Sequence, residues 1–393
     1  MSTTIASLLL EGTTSEIRER LRPALKAELG GAPPVLVCVF ASTRQDLGVL
    51  VDEAAIDGAV AIGASTAGEL VERGDAKSAV AVFALAGDDH RASAGLGTGL
   101  AADPEGAIAS ALAGQPRSVE GFPFRTALTL LDPLAGNGEE VALMLAGELG
   151  PDQPLAGGAA GDDLAMKETR VAVAGRVASN GLVVAQIFGK RPLAIGIQHG
   201  HHPLSEPLHV TRARGGTVLE VEGRPAWDVW REHTRAAAAA RGIDVDAIAE
   251  TDVGAFLLQF QAGLANGAGY KVRAPLSRAS DGSISFAAAI PEGSVFRIMQ
   301  SDSRGQVESA IAAARAAKAA LGDQPCAGAL VFDCICRNLI LGDAFGNAVR
   351  GMSHALGDVP LAGFETYGEI GLGAGDMSGF HNSTSVVLAF PRG

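Results

Sequence analysis

Residues 363–371 read GFETYGEIG, and residues 63–70 read GASTAGEL. Gly63, Thr66, Gly68 and Glu69 recur as Gly363, Thr366, Gly368 and Glu369, displaced by one interval, and both copies run into an aliphatic residue. A chain that writes one loop twice is built from repeated units, so the segments around the two loops decide the fold.

Before the first loop, VLVCVF (35–40) is a short apolar run of β-branched type, which predicts a buried strand. TRQDLGVLVDEAAIDG (43–58) has helical spacing and stops at Gly58. AVAIGASTAGEL (59–70) reads as strand then loop, and SAVAVFAL (78–85) as a further strand. The C-terminal copy keeps this order: AGALVFDCI (327–335), a helical stretch through Ala348, VPLAG (359–363), the loop, and STSVVLAF (383–390). An eroded third copy lies between them, with TALTLLD (126–132), GEEVALMLAGELG (138–150), PLAGGAAGDDL (154–164) and NGLVVAQIFG (180–189). Its PLAG at 154–157 is repeated letter for letter at 360–363. GAFLLQF (254–260) reads as the start of a fourth unit that has no recognisable loop.

Alternating strand, helix and strand predict an α/β fold. The strand after each loop follows too soon for a parallel crossover, so the sheets are expected to be mixed. A chain of 393 residues exceeds one ordinary core, which predicts two domains of such repeated units. The Pro-containing stretch 203–225 and the helical AWDVWREHTRAAAAARG (226–242) read as a hinge, dividing the chain into 1–222 and 223–393.

A formal charge of -13 with no basic cluster argues against nucleic acid and anionic membrane surfaces as partners. No stretch approaches the roughly 20 apolar residues of a spanning helix, and MSTTIASLLLEG lacks the basic start of a secretory signal. Four cysteines are too few for a disulfide scaffold. The expectation is a reduced, cytoplasmic protein that does not insert into a membrane.

GASTAGEL, PLAGGAAGDD, IGIQHGHHPL (195–204), EGRPAWDVW (222–230), FDCICRN (332–338), GFETYGEIG and FHNST (380–384) occur in an order that resembles the FIST family, with its N-terminal domain followed by its C-terminal domain. The resemblance covers the chain from about Val35 onward. It implies a sensory module for a small ligand in bacterial signal transduction. It also implies a separate output partner, such as a histidine kinase. One branch of the family comprises haem-binding nitric-oxide sensors that regulate histidine kinases, which supplies the alternative reading.

Candidate ligand residues follow from the loops. Glycine lets backbone approach a ligand closely, so Thr66, Glu69, Glu365, Thr366 and Glu369 read as the polar lining of a crevice. Turn formation and local capping account for the same letters. Arg337 at the end of FDCICR reads as a bidentate carboxylate holder, against a salt bridge as the plain alternative. His381 and Asn382, next to the last strand, are expected to face the same crevice. Cys334 and Cys336 are expected on one face of a strand, as inert thiols. His199 in HGHHP (199–203) is the one metal candidate, and only as an axial ligand of haem. The chain has no C-x-x-C-H, so any haem would be non-covalent.

No acid, base and nucleophile are assembled in one motif, so no enzyme activity is expected. The leading expectation is a cofactor-free sensor of an amino acid or related metabolite, with a non-covalent haem sensor of nitric oxide as the alternative.

Overall fold

The computed structural model describes residues 3–267, 269–373 and 379–393. It contains the repeated unit three times. In the first unit the sheet order is Thr4–Leu10, Val80–Ala86, Pro34–Ala41, Val60–Ser65. In the second it is His90–Thr98, Gly181–Gly189, Phe124–Leu131, Leu155–Ala159. In the third it is Ala194–His199, Thr384–Pro391, Cys326–Cys334, Leu361–Thr366. The last two strands of each set are parallel, and the other pairings are antiparallel. The sheets are therefore mixed, as expected.

Each unit then lends a hairpin to a neighbour. Glu69–Val71 with Gly74–Ala76 leaves the first unit and pairs with Leu361–Thr366 of the third. Glu369–Leu372 with Phe380–His381 leaves the third and pairs with Leu155–Ala159 of the second. Val171–Val173 with Arg176–Ala178 leaves the second and pairs with Val60–Ser65 of the first. The exchange is cyclic, which gives the three units a pseudo-threefold arrangement and three sheets of six strands.

Alternation along the strands divides inner from outer faces. Leu36, Cys38 and Phe40 join Leu128, Leu130, Leu330, Phe332, Phe364 and Val386 in one central core shared by all three units. Their neighbours Val37, Val39 and Ala41 instead pack with the helical residues Leu21, Leu25 and Leu50 on the outside of the first sheet. At the centre Phe40 stacks on Phe364 with ring centroids 4.7 Å apart, and Phe332 meets Phe364 edge-on at 5.8 Å.

The recurring glycines have a steric reason. Gly63, Gly157 and Gly363 stand opposite Val39, Thr129 and Val331 in the paired parallel strands. A Cβ at these glycines would lie 2.7, 1.9 and 1.8 Å from the carbonyl oxygens of Val39, Thr129 and Val331. Ser78, Asn180 and Ser383, each at the start of a closing strand, share a left-handed backbone with φ of 64°, 48° and 51°.

The third unit is interrupted. After Ala194–His199 the chain enters an inserted sheet of nine strands between His202 and Gln300, then resumes with the helix Ser303–Ala320. The segment read as a hinge is part of this insertion. Helix Ala226–Ala239 buries Trp230 and Thr234, and Trp230 Nε1 donates to the Phe260 carbonyl at 3.0 Å. The apolar face of this helix packs in the core of the insertion. Likewise GAFLLQF is the end of helix Val253–Gln259 running into strand Phe260–Asn266 of the same sheet, so it starts no fourth unit. The boundary at 222/223 falls between Thr217–Val221 and Arg224–Pro225, which pair with each other.

Candidate functional site

The three loops meet where the hairpins cross. Ala67 N donates to Glu365 O (3.1 Å) and Glu365 N to Gly68 O (2.8 Å), joining the first and third units. Ala159 N donates to Gly368 O (2.7 Å) and Tyr367 N to Ala159 O (3.1 Å), joining the second and third. Gly161 N donates to Ser65 O and Asp163 N to Thr66 O, both at 2.9 Å, joining the second and first. A Cβ on Gly68 would lie 2.6 Å from the Glu365 carboxyl carbon, so a side chain there would have to displace that carboxyl.

Within this junction the repeated Thr and Glu close on each other. Thr66 Oγ1 donates to Glu69 Oε1, and Glu69 Oε2 accepts from Ala79 N at 3.0 Å. Thr366 Oγ1 donates to Glu369 Oε1 at 2.5 Å, and Glu369 Oε2 accepts from Thr384 N at 3.1 Å. In both copies the carboxyl ties the departing hairpin to the start of the closing strand. All four side chains are buried. Desolvation raises the Glu69 carboxyl to about 7, against the hydrogen bonds from Thr66 and Ala79. It raises Glu369 well above the ordinary value as well.

Glu365 is fully buried, and its Oε1 accepts from Asn338 Nδ2 at 2.6 Å. Its Oε2 has no partner among the described residues. Desolvation pushes this carboxyl up to about 8, with the Asn338 hydrogen bond opposing. Arg337 is also fully buried. Its Nε donates to Asp333 Oδ1 (2.8 Å), and the fork reaches Ser309 Oγ (2.9 Å), Gln306 Oε1 and Gln306 O (2.8 Å). The guanidinium thus fastens helix Ser303–Ala320 to the end of strand Cys326–Cys334. Only one of the pair Cys334 and Cys336 is in a strand: the strand ends at Cys334, and Cys336 belongs to helix Ile335–Leu341.

His381 Nε2 is 2.9 Å from Gly371 O, and burial lowers its pKa to about 4. Asn382 Nδ2 donates to His381 O (3.0 Å), and its Oδ1 accepts from Ala274 N (3.3 Å). His199 uses both ring nitrogens, Nε2 on the Tyr270 carbonyl (2.8 Å) and Nδ1 as acceptor from His201 N (3.3 Å). That arrangement does not fit an axial haem ligand. Among the described residues no group of three or more His, Cys, Asp or Glu side chains is placed to hold a metal ion.

A cavity of about 560 Å³ opens elsewhere, between the second unit, the inserted sheet and the third unit. Leu134, Asn137, Glu139, Glu140, Leu164 and Met166 line it from the second unit. Leu258, Ala274, Leu276, Phe286 and Ala287 come from the insertion, and Cys334, Cys336, Leu339, Tyr367, Phe380 and Asn382 from the third unit. Of the eight loop and strand residues proposed from the sequence to bind ligand, only Asn382 is in this lining. Leu134, Leu164, Met166, Leu276 and Leu339 are among the large apolar side chains left exposed, at 37–54%. Their concentration at one cavity is unusual for scattered surface residues.

The rim formed by Asp163–Met166 is held in a costly conformation. Asp163, Leu164 and Met166 have φ of 53°, 65° and 52°, the left-handed region that side chains other than glycine rarely adopt. Buried Asp162 holds the turn by accepting from Met166 N (2.9 Å), Lys167 N (2.6 Å) and Glu168 N (3.0 Å). Tyr367 of the third unit donates to Asp162 Oδ1 (2.6 Å) and accepts from Leu164 N (2.8 Å). This rim is the feature that sequence reading missed. Its signal was the apolar pair in GDDLAMK, set in a turn beside two aspartates.

The FIST N domain matches residues 35–224 and the FIST C domain residues 226–372. The chain belongs to the FIST family. FIST domains mark a sensory, small-ligand-binding family of signal transduction. Two uncharacterized proteins from strains of Mycobacterium tuberculosis are each 24% identical to this FIST chain over 251 residues. The matched segment is 61% of this chain and 61% of each relative's length. Among the described residues no helix is long and apolar enough to cross a membrane.

Proposed function

We propose that this FIST protein senses a small ligand held in the cavity between the second unit, the inserted sheet and the third unit, and passes its presence to a separate signalling partner. One observation carries the reading. The cavity of about 560 Å³ has walls from three parts of the chain and a strained rim that holds apolar side chains at its mouth. Ligand pockets of this size, mostly apolar and set between structural units, are the usual form of a small-molecule site. Because the walls belong to different parts, a ligand that prefers one spacing of the insertion shifts the population of that spacing, which is what a partner can read.

The amino-acid reading has less support at this site. It relied on Arg337 for the carboxylate, and that guanidinium is committed to Asp333, Gln306 and Ser309. The haem reading relied on His199, whose nitrogens are both engaged. Neither residue lines the cavity.

The test is a thermal-shift screen of small metabolites on the wild type and on Ala287→Trp, which fills the cavity from the insertion. Ligands that stabilise the wild type are expected to lose their effect in the variant. Stabilisation that survives equally in the folded variant would remove the cavity as the site.

A further inference from the structure

The cavity lining also has a chemical bias, and an inference from it rests on the ligand-site reading above. Its described residues include no Lys, Arg or His. Among the described residues of the lining the only charged side chains are Glu139 and Glu140. Glu139 is held by Arg273 and stands 3.5 Å from Lys271 Nζ, both of which lie outside the lining. Glu140 has no ion-pair or hydrogen-bond partner among the described residues.

Most of the remaining polar wall groups already have partners within the protein; the exception is Asn137 Oδ1, a buried acceptor with no partner among the described residues. Asn137 Nδ2 donates to Leu100 O at 2.7 Å, and Tyr367 is fixed between Asp162 and Leu164. Both ends of the Asn382 amide are engaged. Recognition is therefore left to Asn137 Oδ1, which can accept from an O–H or N–H donor but not from a carboxylate, and to Leu258, Ala274, Phe286, Ala287, Ile335 and Phe380, extended at the mouth by the exposed rim. An anion entering such a site sheds its water without gaining a cation, and it meets Glu140 on the way. A hydrocarbon body gains from every methylene it buries. We infer that the ligand is an apolar molecule whose polar end is neutral or cationic, an alcohol or an amine, and that carboxylates are rejected.

Three compounds with one chain test this: 1-octanol, octylamine and octanoate, titrated calorimetrically into the intact protein. The expected result is that octanol and octylamine each bind at least about tenfold more tightly than octanoate, a difference of ~1.4 kcal/mol. Ala287→Trp is expected to abolish all three. Leu276→Asp, at an exposed rim position, is expected to weaken octanol, and Glu140→Gln to weaken octylamine alone. Octanoate binding as tightly as octanol, and lost in Ala287→Trp, would overturn the ligand class while leaving the cavity as the site. Absence of binding by all three would also overturn the class. Binding that neither Ala287→Trp nor Leu276→Asp changes would overturn the site itself.

Discussion

Replacing Glu365 by Gln is expected to remove a loss of stability that the wild type undergoes as pH rises from about 5 toward about 8. The carboxyl is fully buried, desolvation raises it from 4.5 to about 8, and Asn338 donates to one of its oxygens. Between these two values the folded protein keeps a proton that the unfolded chain has released. The stability that depends on this proton is complete below 4.5 and is lost as pH rises through about 8. One pKa unit corresponds to about 1.4 kcal/mol, so raising the pH from about 5 to about 7 should cost the wild type about 2 kcal/mol through this group alone. Glutamine keeps the acceptor for Asn338 and presents an N–H group where the protonated acid has its O–H. The Glu365→Gln variant should therefore match the wild type near pH 5 and exceed it by about 2 kcal/mol near pH 7. Urea unfolding followed by circular dichroism at the two pH values gives both numbers, with an unchanged m-value as the check that the unfolded state is comparable. If wild type and variant lose the same stability between the two pH values, Glu365 is ionised in the fold and the reasoning fails.

Three further outcomes follow from the same geometry. Gly363→Ala places a Cβ 1.8 Å from the Val331 carbonyl oxygen, and overpacking against backbone should lower unfolding stability by about 3 kcal/mol or more in the same urea assay. Tyr367→Phe removes the hydroxyl that joins Asp162 to Leu164 N, so it should cost about 1 to 2 kcal/mol and speed amide exchange at 163–166 specifically. Burial pushes the Cys334 thiol well above its ordinary value, so iodoacetamide should modify it at least about tenfold more slowly in the native protein than in urea, as followed by peptide mass spectrometry. An equal rate would mean that the thiol reaches solvent.

The three-unit plan was legible because glycine at 63, 157 and 363 meets the same carbonyl in each parallel strand pair, and that requirement preserves the letters. The exchange of hairpins was not legible. Glu69–Val71, Val171–Val173 and Glu369–Leu372 are three or four residues long, and nothing in so short a strand specifies a partner in another unit. The insertion was hidden for a related reason. Its helix Ala226–Ala239 has a clear apolar face, but a face does not say which core it joins. Thr66, Glu69, Thr366 and Glu369 were identified as special from their repetition, and their ligand role was inferred from polarity. A Thr and Glu that bond to one another between glycines carry the same letters as a pair that waits for a ligand. The fate of Arg337 depended on where strand Cys326–Cys334 ended. A helix beginning at Ile335 turns its guanidinium back onto Asp333, four residues earlier. The cavity is lined by leucine, alanine, phenylalanine and cysteine, the residues of an ordinary core, so only the arrangement of the chain in space distinguishes its wall.

The claim on which the functional reading stands is the location of the ligand site, and amide hydrogen exchange with and without saturating 1-octanol tests it most directly. The cavity predicts added protection at 133–140, 164–166, 274–289 and 334–339, with no direct protection at the Thr66 and Glu69 loop. Protection centred on 66–69, with the cavity walls unchanged, would contradict it.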